Sequence, residues 1–417
     1  MNSVKIYNWQ KISLINLFIV SILGVTLRYK ILFPLPFINQ KYLLHAHSHF
    51  AFAGWISLVL MTFIVKYLYE KDVNIQMQKY QWLLRANIIS AYGMLLSFPF
   101  QGYGVISIIF STLNTFVGYA FAFFVWRDLN KLKTRCVSHH WFKGALVFSA
   151  LSSLGAFALA FMMANKIAHP DFYLSAIYFF LHFQYNGWFF FTCMGLMLAY
   201  MISKGIAPST KTSKIIFWLF CGAEIPAYFL SVLWMPIPQW IYIIVVIAVI
   251  AQGSGFILFQ KHIINNKNAI ANAVSKQTKI LWLFALIALT IKLLLQMISV
   301  IPSLSDLTVG FRPIVIGYLH LVLLGVITIF LLGYFTTVNF VHDKTFFKGI
   351  TVFVSGIIFN EILLMIQGVS ALSYITIPYI NELLFLAALI MFGGLFVLNA
   401  SLLNASKEQR PYALLAS

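Results

Sequence analysis

The chain has 417 residues, of which 61% are hydrophobic and only 9% charged. That balance excludes a soluble globular domain and points to a polytopic membrane protein. The formal net charge of +18 invites a nucleic-acid partner, but the basic residues follow a topological pattern and no phosphate-binding motif accompanies them, so no nucleic acid is expected and the partner is the lipid bilayer.

A transmembrane helix needs about 20 mostly apolar residues. In chain order twelve segments qualify, near 11–28, 42–66, 80–98, 103–126, 145–164, 171–203, 214–234, 238–260, 279–300, 313–339, 349–369 and 379–404. The expected fold class is an all-α integral membrane protein of about twelve transmembrane helices. Lys5 and Lys11 precede the first span, and Lys66, Lys71, Lys79 and Arg85 lie between spans two and three. Arg127, Lys131, Lys133, Arg135 and Lys143 follow span four; Lys204, Lys211 and Lys214 follow span six. Lys261, Lys267, Lys276 and Lys279 follow span eight, Lys344 and Lys348 span ten, and Lys407 and Arg410 the last. These are 22 of the 28 basic residues, all on one side. Arg28, Lys30, Lys41, Lys166 and Arg312 fall on the other, and Lys292 lies within span nine. The positive-inside rule then places both termini in the cytoplasm of a multi-pass protein of the inner (plasma) membrane.

Cys136, Cys193 and Cys221 are far apart, with no CxxC or CxxCH, which leaves out covalent c-type haem and an iron–sulfur or zinc-ribbon site. The first apolar run is followed by Arg28 and Lys30 rather than a small-residue cleavage site, so no cleavable signal peptide is expected.

Three histidines stand in similar settings: His49 in HFAFAGW, His182 in HFQYNGW and His320 in HLVLLGV. Each is followed five residues later by a glycine (Gly54, Gly187, Gly325) and twice by a tryptophan (Trp55, Trp188). Separations of 133 and 138 residues divide the chain into three four-helix pseudo-repeats, roughly 1–135, 136–270 and 271–417, within one membrane domain. The histidine falls on the second helix of each. All three enter from the outer side in this topology and sit within about 10–17 Å of it at 1.5 Å per residue.

An ionisable side chain inside an apolar span is costly and marks a functional site by default. Neutral imidazole suits both axial positions of a low-spin haem, and repeated histidines point to haem or metal coordination. His45 and His49, four apart, share a helix face, while His47 points roughly the other way. An interhelical hydrogen bond is the plain alternative for any one of them. The glycines read as helix-contact sites, and Trp55 and Trp188 as general packing. Glu224 in span seven, Lys292 in span nine and Glu361 in span eleven form either a proton or ion path or structural pairs, of Lys292 with Glu361 or Glu224. His139, His140, His262 and His342 read as solvated loop residues, and His169 as structural.

Twelve helices in three units, with histidines on the second, sixth and tenth, resemble the catalytic subunit I of haem–copper oxidases and nitric oxide reductases. The local match is span ten, where Ile316-Gly317-Tyr318-Leu319-His320, ending Leu324-Gly325-Val326, is similar to a stretch of the C-type oxidase branch. The resemblance implies a haem b held by His320 and by a helix-two histidine: Leu44-His45 matches the family, the internal repeat favours His49. It implies a second metal, copper or iron, near His182, with His47 a spare ligand. It also implies oxidoreductase chemistry in a respiratory chain, supplied by quinol or a separate electron-donor subunit. The chain departs from the family at Tyr318, which replaces the high-spin haem ligand, and on helix seven, where Glu224 and Tyr228 stand instead of a histidine pair. A standard oxygen-reducing centre cannot be assembled from what remains. Two other readings are open: a transporter of protons, metal ions or small molecules, and a non-catalytic accessory or assembly protein.

Overall fold

The computed structural model describes residues 3–72, 74–301, 312–338 and 343–408. His342 and Arg410 lie outside them. The described residues form twelve helices long and apolar enough to cross a membrane, and no strand occurs among them. They are α1 (Ile6–Leu32), α2 (Gln40–Lys71), α3 (Met77–Gln101), α4 (Val105–Lys131), α5 (Ser138–Ala164) and α6 (Pro170–Ser203). After these come α7 (Thr210–Val232), α8 (Gln239–Asn265), α9 (Lys276–Ser299), α10 (Arg312–Thr337), α11 (Lys344–Leu372) and α12 (Ile380–Asn404). Spans of 23 to 34 residues exceed the roughly 20 that a bilayer core requires. Helix is the form such a run must take, because hydrocarbon offers no partner for unpaired backbone groups. The chain is an all-α multi-span membrane protein, and large apolar side chains such as Trp82, Phe116, Ile247 and Phe396 cover its outside as a lipid-facing surface.

Local signals start the helices. Asn39 caps α2 by accepting from the Lys41 and Tyr42 N–H groups, at 2.9 and 3.1 Å. Ser209, Ser275 and Asp343 do the same for α7, α9 and α11, and Pro170 opens α6.

The chain packs as two compact units. The first comprises residues 1–117 and 332–417 and contains α1 to α3, the start of α4, the end of α10, and α11 and α12. Its tightest pairing is α11 on α12. A Cβ added at Gly349 would lie 2.6 Å from the Leu398 nitrogen and 2.8 Å from the Gly394 oxygen, so the two backbones touch. Phe18 of α1 stacks on Phe392 of α12, ring centroids 5.2 Å apart.

The second unit comprises residues 118–331. Its core is aromatic: Trp141 of α5 packs on Phe191 of α6 at 4.9 Å and on Phe217 of α7 at 5.4 Å. Gly155 lets α5 approach the α6 backbone, where an added Cβ would meet the Ala176 oxygen at 2.5 Å.

Three helices change winding along their length, and they are the three that carry the histidine repeat. α2 is π-helical over Ala51–Ser57, α6 over Phe183–Phe189 and α10 over Leu321–Thr328. The wider turn begins one residue after His182 and His320 and two after His49. Gly54, Gly187 and Gly325 lie inside the π segments, and each is crowded. Added Cβ atoms would meet the Phe50 ring at 2.7 Å, Phe148, and the Ala288 Cβ at 3.1 Å. The glycines are packing sites, as the sequence reading expects. Trp55 and Trp188, 1% and 4% exposed, pack inside the protein.

A π turn shifts the backbone ladder and leaves carbonyls for other donors. In α2 two asparagines take them: Asn16 of α1 donates to the Gly54 oxygen at 2.7 Å and Asn87 of α3 to the Ala53 oxygen at 3.0 Å. Both belong to a wider network. Tyr92 donates to Asn16 at 2.8 Å, and Asn114 donates to Asn87 at 3.0 Å and to Ser90 at 2.9 Å.

Candidate functional site

In the second unit, α7 is interrupted by Pro226 and continues as a 3-10 turn, Tyr228–Val232. The Tyr228 N–H turns to the Ile225 oxygen rather than the Glu224 oxygen, so the Glu224 carbonyl has lost its helical partner. His182 of α6 fills the place: its Nε2–H donates to the Glu224 main-chain oxygen at 2.9 Å. The Glu224 carboxylate oxygen Oε1 is also near, 3.2 Å from Nε2, but out of hydrogen-bonding line, and it makes no hydrogen bond. The other ring nitrogen, Nδ1, accepts from the Asn186 amide at 3.1 Å. His182, Glu224 and Asn186 are all buried, at 1%, 1% and 4% exposed.

Around this pair stand further ionisable groups. Lys292 of α9, 6% exposed, lies within electrostatic range of Glu224. The side chains of Tyr185 and Tyr318 lie edge to face, both in electrostatic range of Glu224. Their centroids are 6.2 Å apart. Tyr228 donates to the Ser175 oxygen at 3.1 Å and sets its ring 6.1 Å from that of His182.

His320 of α10 has a different surrounding. Its Nδ1–H donates to the Ile316 carbonyl one turn earlier, at 2.8 Å. A carbonyl only accepts, so the neutral ring carries its lone pair on Nε2.

In the first unit His45 and His49 share one face of α2, as their spacing predicts, and meet Phe98 and Tyr103. The His49 ring stacks on Phe98 at 4.5 Å, and its Nε2 is 3.0 Å from the Tyr103 hydroxyl. His45 touches the same two rings, 5.9 Å from Phe98 and 4.7 Å from Tyr103. His47 turns to α1, where its Cε1 would lie 3.5 Å from a Cβ added at Gly24. Glu361 of α11 accepts from the Asn360 amide at 3.1 Å and is in electrostatic range of Arg28 of α1.

Of the pairings left open by the sequence, Lys292 is in electrostatic range of Glu224, and Glu361 in that of Arg28. Among the described residues no three His, Cys, Asp or Glu side chains converge as a metal set. Both ring nitrogens of His182 are engaged in hydrogen bonds. Two histidines differ from the solvated reading: His139 is buried and His262 is bonded to the Ile206 oxygen at 2.9 Å. His169, read as structural, stacks on Phe172 at 4.3 Å. Sequence reasoning passed over Asn186, Tyr185, Tyr103 and Arg28. Asn186 stands four residues after His182, a spacing that was readable; Tyr103 comes from the α3–α4 turn and had no such signal.

Fold and site together define an all-α multi-span membrane protein with ionisable side chains enclosed among its helices. No protein-family model matches the chain, and no curated protein sequence does.

Proposed function

We propose that the protein is an integral membrane haem protein of the haem–copper oxidase subunit I type, holding a b-type haem through His320. The observation that carries this reading is the tautomer of that ring. With Nδ1–H tied to Ile316, the neutral imidazole has an unprotonated Nε2, the state an axial haem ligand requires. The hydrogen bond also fixes the ring's orientation on α10. Its position supports the reading as well, since π-helical segments often mark functional sites and one starts at the next residue.

A bound haem b supplies one-electron redox chemistry, with electron transfer and quinol, nitric oxide or oxygen chemistry as its uses. The electron donor is then a quinol or a separate protein subunit. The distribution of lysine and arginine supports a plasma-membrane location with cytoplasmic termini.

The test is the optical spectrum of the purified, dithionite-reduced protein. A sharp α-band, lost in His320→Ala, is the expected result. A colourless protein after expression with ample haem overturns the reading.

A further inference from the structure

One connection of the first unit carries positive charge where little is expected. Counted by alternate connections, 22 of the 28 basic residues fall on one side of the membrane and five on the other. Two of those five, Lys30 and Lys41, line a single cleft between the α1–α2 connection and the end of α3. We propose that this cleft binds an anionic phospholipid, with Lys30 and Lys41 holding the phosphodiester of its headgroup.

The cleft has a volume of about 660 Å³, inside the range of about 300–1,000 Å³ usual for a small-ligand site. Pro36, Phe37, Pro99 and Phe100 complete its walls with the two lysines. Local contacts give it shape. Lys30 Nζ donates to the Leu35 main-chain oxygen at 2.6 Å, which folds the connection back on the end of α1. Gly102 ends α3 at a φ of 56°, and a Cβ added there would lie 2.5 Å from the Tyr42 ring. The end of α3 therefore packs on the start of α2, and only glycine suits both that approach and that backbone.

The charge in the cleft is unanswered. An ammonium has three N–H donors, and Lys30 spends one on Leu35. Among the described residues Lys41 makes no side-chain hydrogen bond, and neither lysine makes an ion pair. No carboxylate lines the cleft, and the chain has no Asp or Glu before Glu70 or between Asp72 and Asp128. The start of α2 is not the anchor, because Asn39 already accepts from the Lys41 and Tyr42 N–H groups. An anion is thus held by the two ammonium groups.

The apolar walls make that anion a lipid. Phe37 and Phe100 are 81% and 86% exposed, at a helix end where aromatic rings meet the membrane interface. Leu96, one turn further into α3, is exposed as well. A soluble anion would use the lysines and gain nothing from these side chains. A phospholipid uses both, its phosphodiester oxygens accepting from Lys30 and Lys41 while its acyl chains lie on Phe100 and Leu96. Lysines near the membrane surface draw anionic headgroups in this way.

The test is photocrosslinking of the full-length protein in phosphatidylcholine nanodiscs. They contain a small fraction of phosphatidylglycerol with a diazirine near the ester end of one chain, and labelled peptides are mapped by mass spectrometry. Label is expected on residues 36–42 and 96–101, competed by plain phosphatidylglycerol but not by inorganic phosphate. Lys41→Gln should raise the phosphatidylglycerol fraction needed for half-labelling about fivefold, and Lys30→Gln with Lys41→Gln further still. Label at the lysine-rich side should stay level in both and shows that they fold. If the double variant does not fold, Lys41→Gln decides alone, since it removes an exposed side chain without a partner. A cleft that takes no label, or takes as much from a phosphatidylcholine probe, overturns the proposal. So does labelling unchanged in Lys41→Gln. Competition by inorganic phosphate would assign the lysines to a soluble anion and overturns it too. The readout is the same for protein produced without haem, so it stands apart from the haem reading.

Discussion

His182 binds the main chain of Glu224 rather than its side chain: the 2.9 Å hydrogen bond ends on the peptide carbonyl, while Oε1 lies 3.2 Å away without one. The carbonyl is available because the helix passes into a 3-10 turn at Tyr228, whose N–H turns to the Ile225 oxygen instead. The bond ties α6 to α7 at the place where α6 changes from α to π winding.

Replacing His182 with leucine should therefore cost stability through the carbonyl. A buried acceptor loses its donor, at about 1–3 kcal/mol, and the Asn186 amide loses its acceptor as well. His182→Gln, which keeps a donor, should recover part of the loss. Thermal unfolding in detergent reads the difference. Equal melting temperatures for wild type and His182→Leu would show that the bond contributes nothing.

The π turn of α2 depends on side chains from its neighbours. Asn87→Leu strips the donor from the Ala53 carbonyl and the acceptor from Asn114, so it should destabilise by about 1–3 kcal/mol. Asn114→Leu removes bonds to Asn87 and Ser90 but leaves the Ala53 carbonyl satisfied, so its cost should be smaller. The two variants reversed in order of stability would mean that the π turn does not need its cap.

Asp343 gives the clearest pH dependence outside the spans. The Thr345 N–H, first, and the Ser401 hydroxyl hold its carboxyl below the ordinary value. A lowered value in the folded state means stabilisation that is present above the ordinary carboxylate range and lost as pH falls through the folded value. Asp343→Ala should thus lie below wild type in melting temperature at neutral pH, with the gap closing on acidification. A gap constant with pH would assign the effect to capping geometry alone.

The spans were legible because hydropathy in runs of about 20 residues is a local signal, and the twelve expected match the twelve among the described residues. The repeat of histidine and glycine was also legible, but its structural meaning was not. His49–Gly54, His182–Gly187 and His320–Gly325 mark the onset of π winding, and α and π turns share the same apolar composition. Pairings across helices were the least legible. His182 and Glu224 lie 42 residues apart, and nothing in either local sequence names the other. Lys292 had two plausible acidic partners in the sequence, and the structure sets it in electrostatic range of Glu224, with Glu361 in range of Arg28.

Two adjacent glycines of α12 should respond oppositely to the same change. A methyl added at Gly394 would meet the α11 backbone, with the Phe353 Cα at 2.8 Å and the Gly349 oxygen at 2.9 Å, whereas one added at Gly393 would meet nothing within 4 Å. Main-chain atoms of a packed helix cannot rotate away as a side chain can, so Gly394→Ala must push α11 and α12 apart along their length. Overpacking of this kind costs about 1–3 kcal/mol, and more for a larger residue. Gly393→Ala pays no such cost and gains helix propensity, worth up to about 1 kcal/mol. Gly394→Val should therefore lower the melting temperature sharply and Gly393→Ala leave it level or raised. Similar melting curves for alanine at the two positions would mean that α11 and α12 do not meet backbone to backbone, and that their glycines serve some other end.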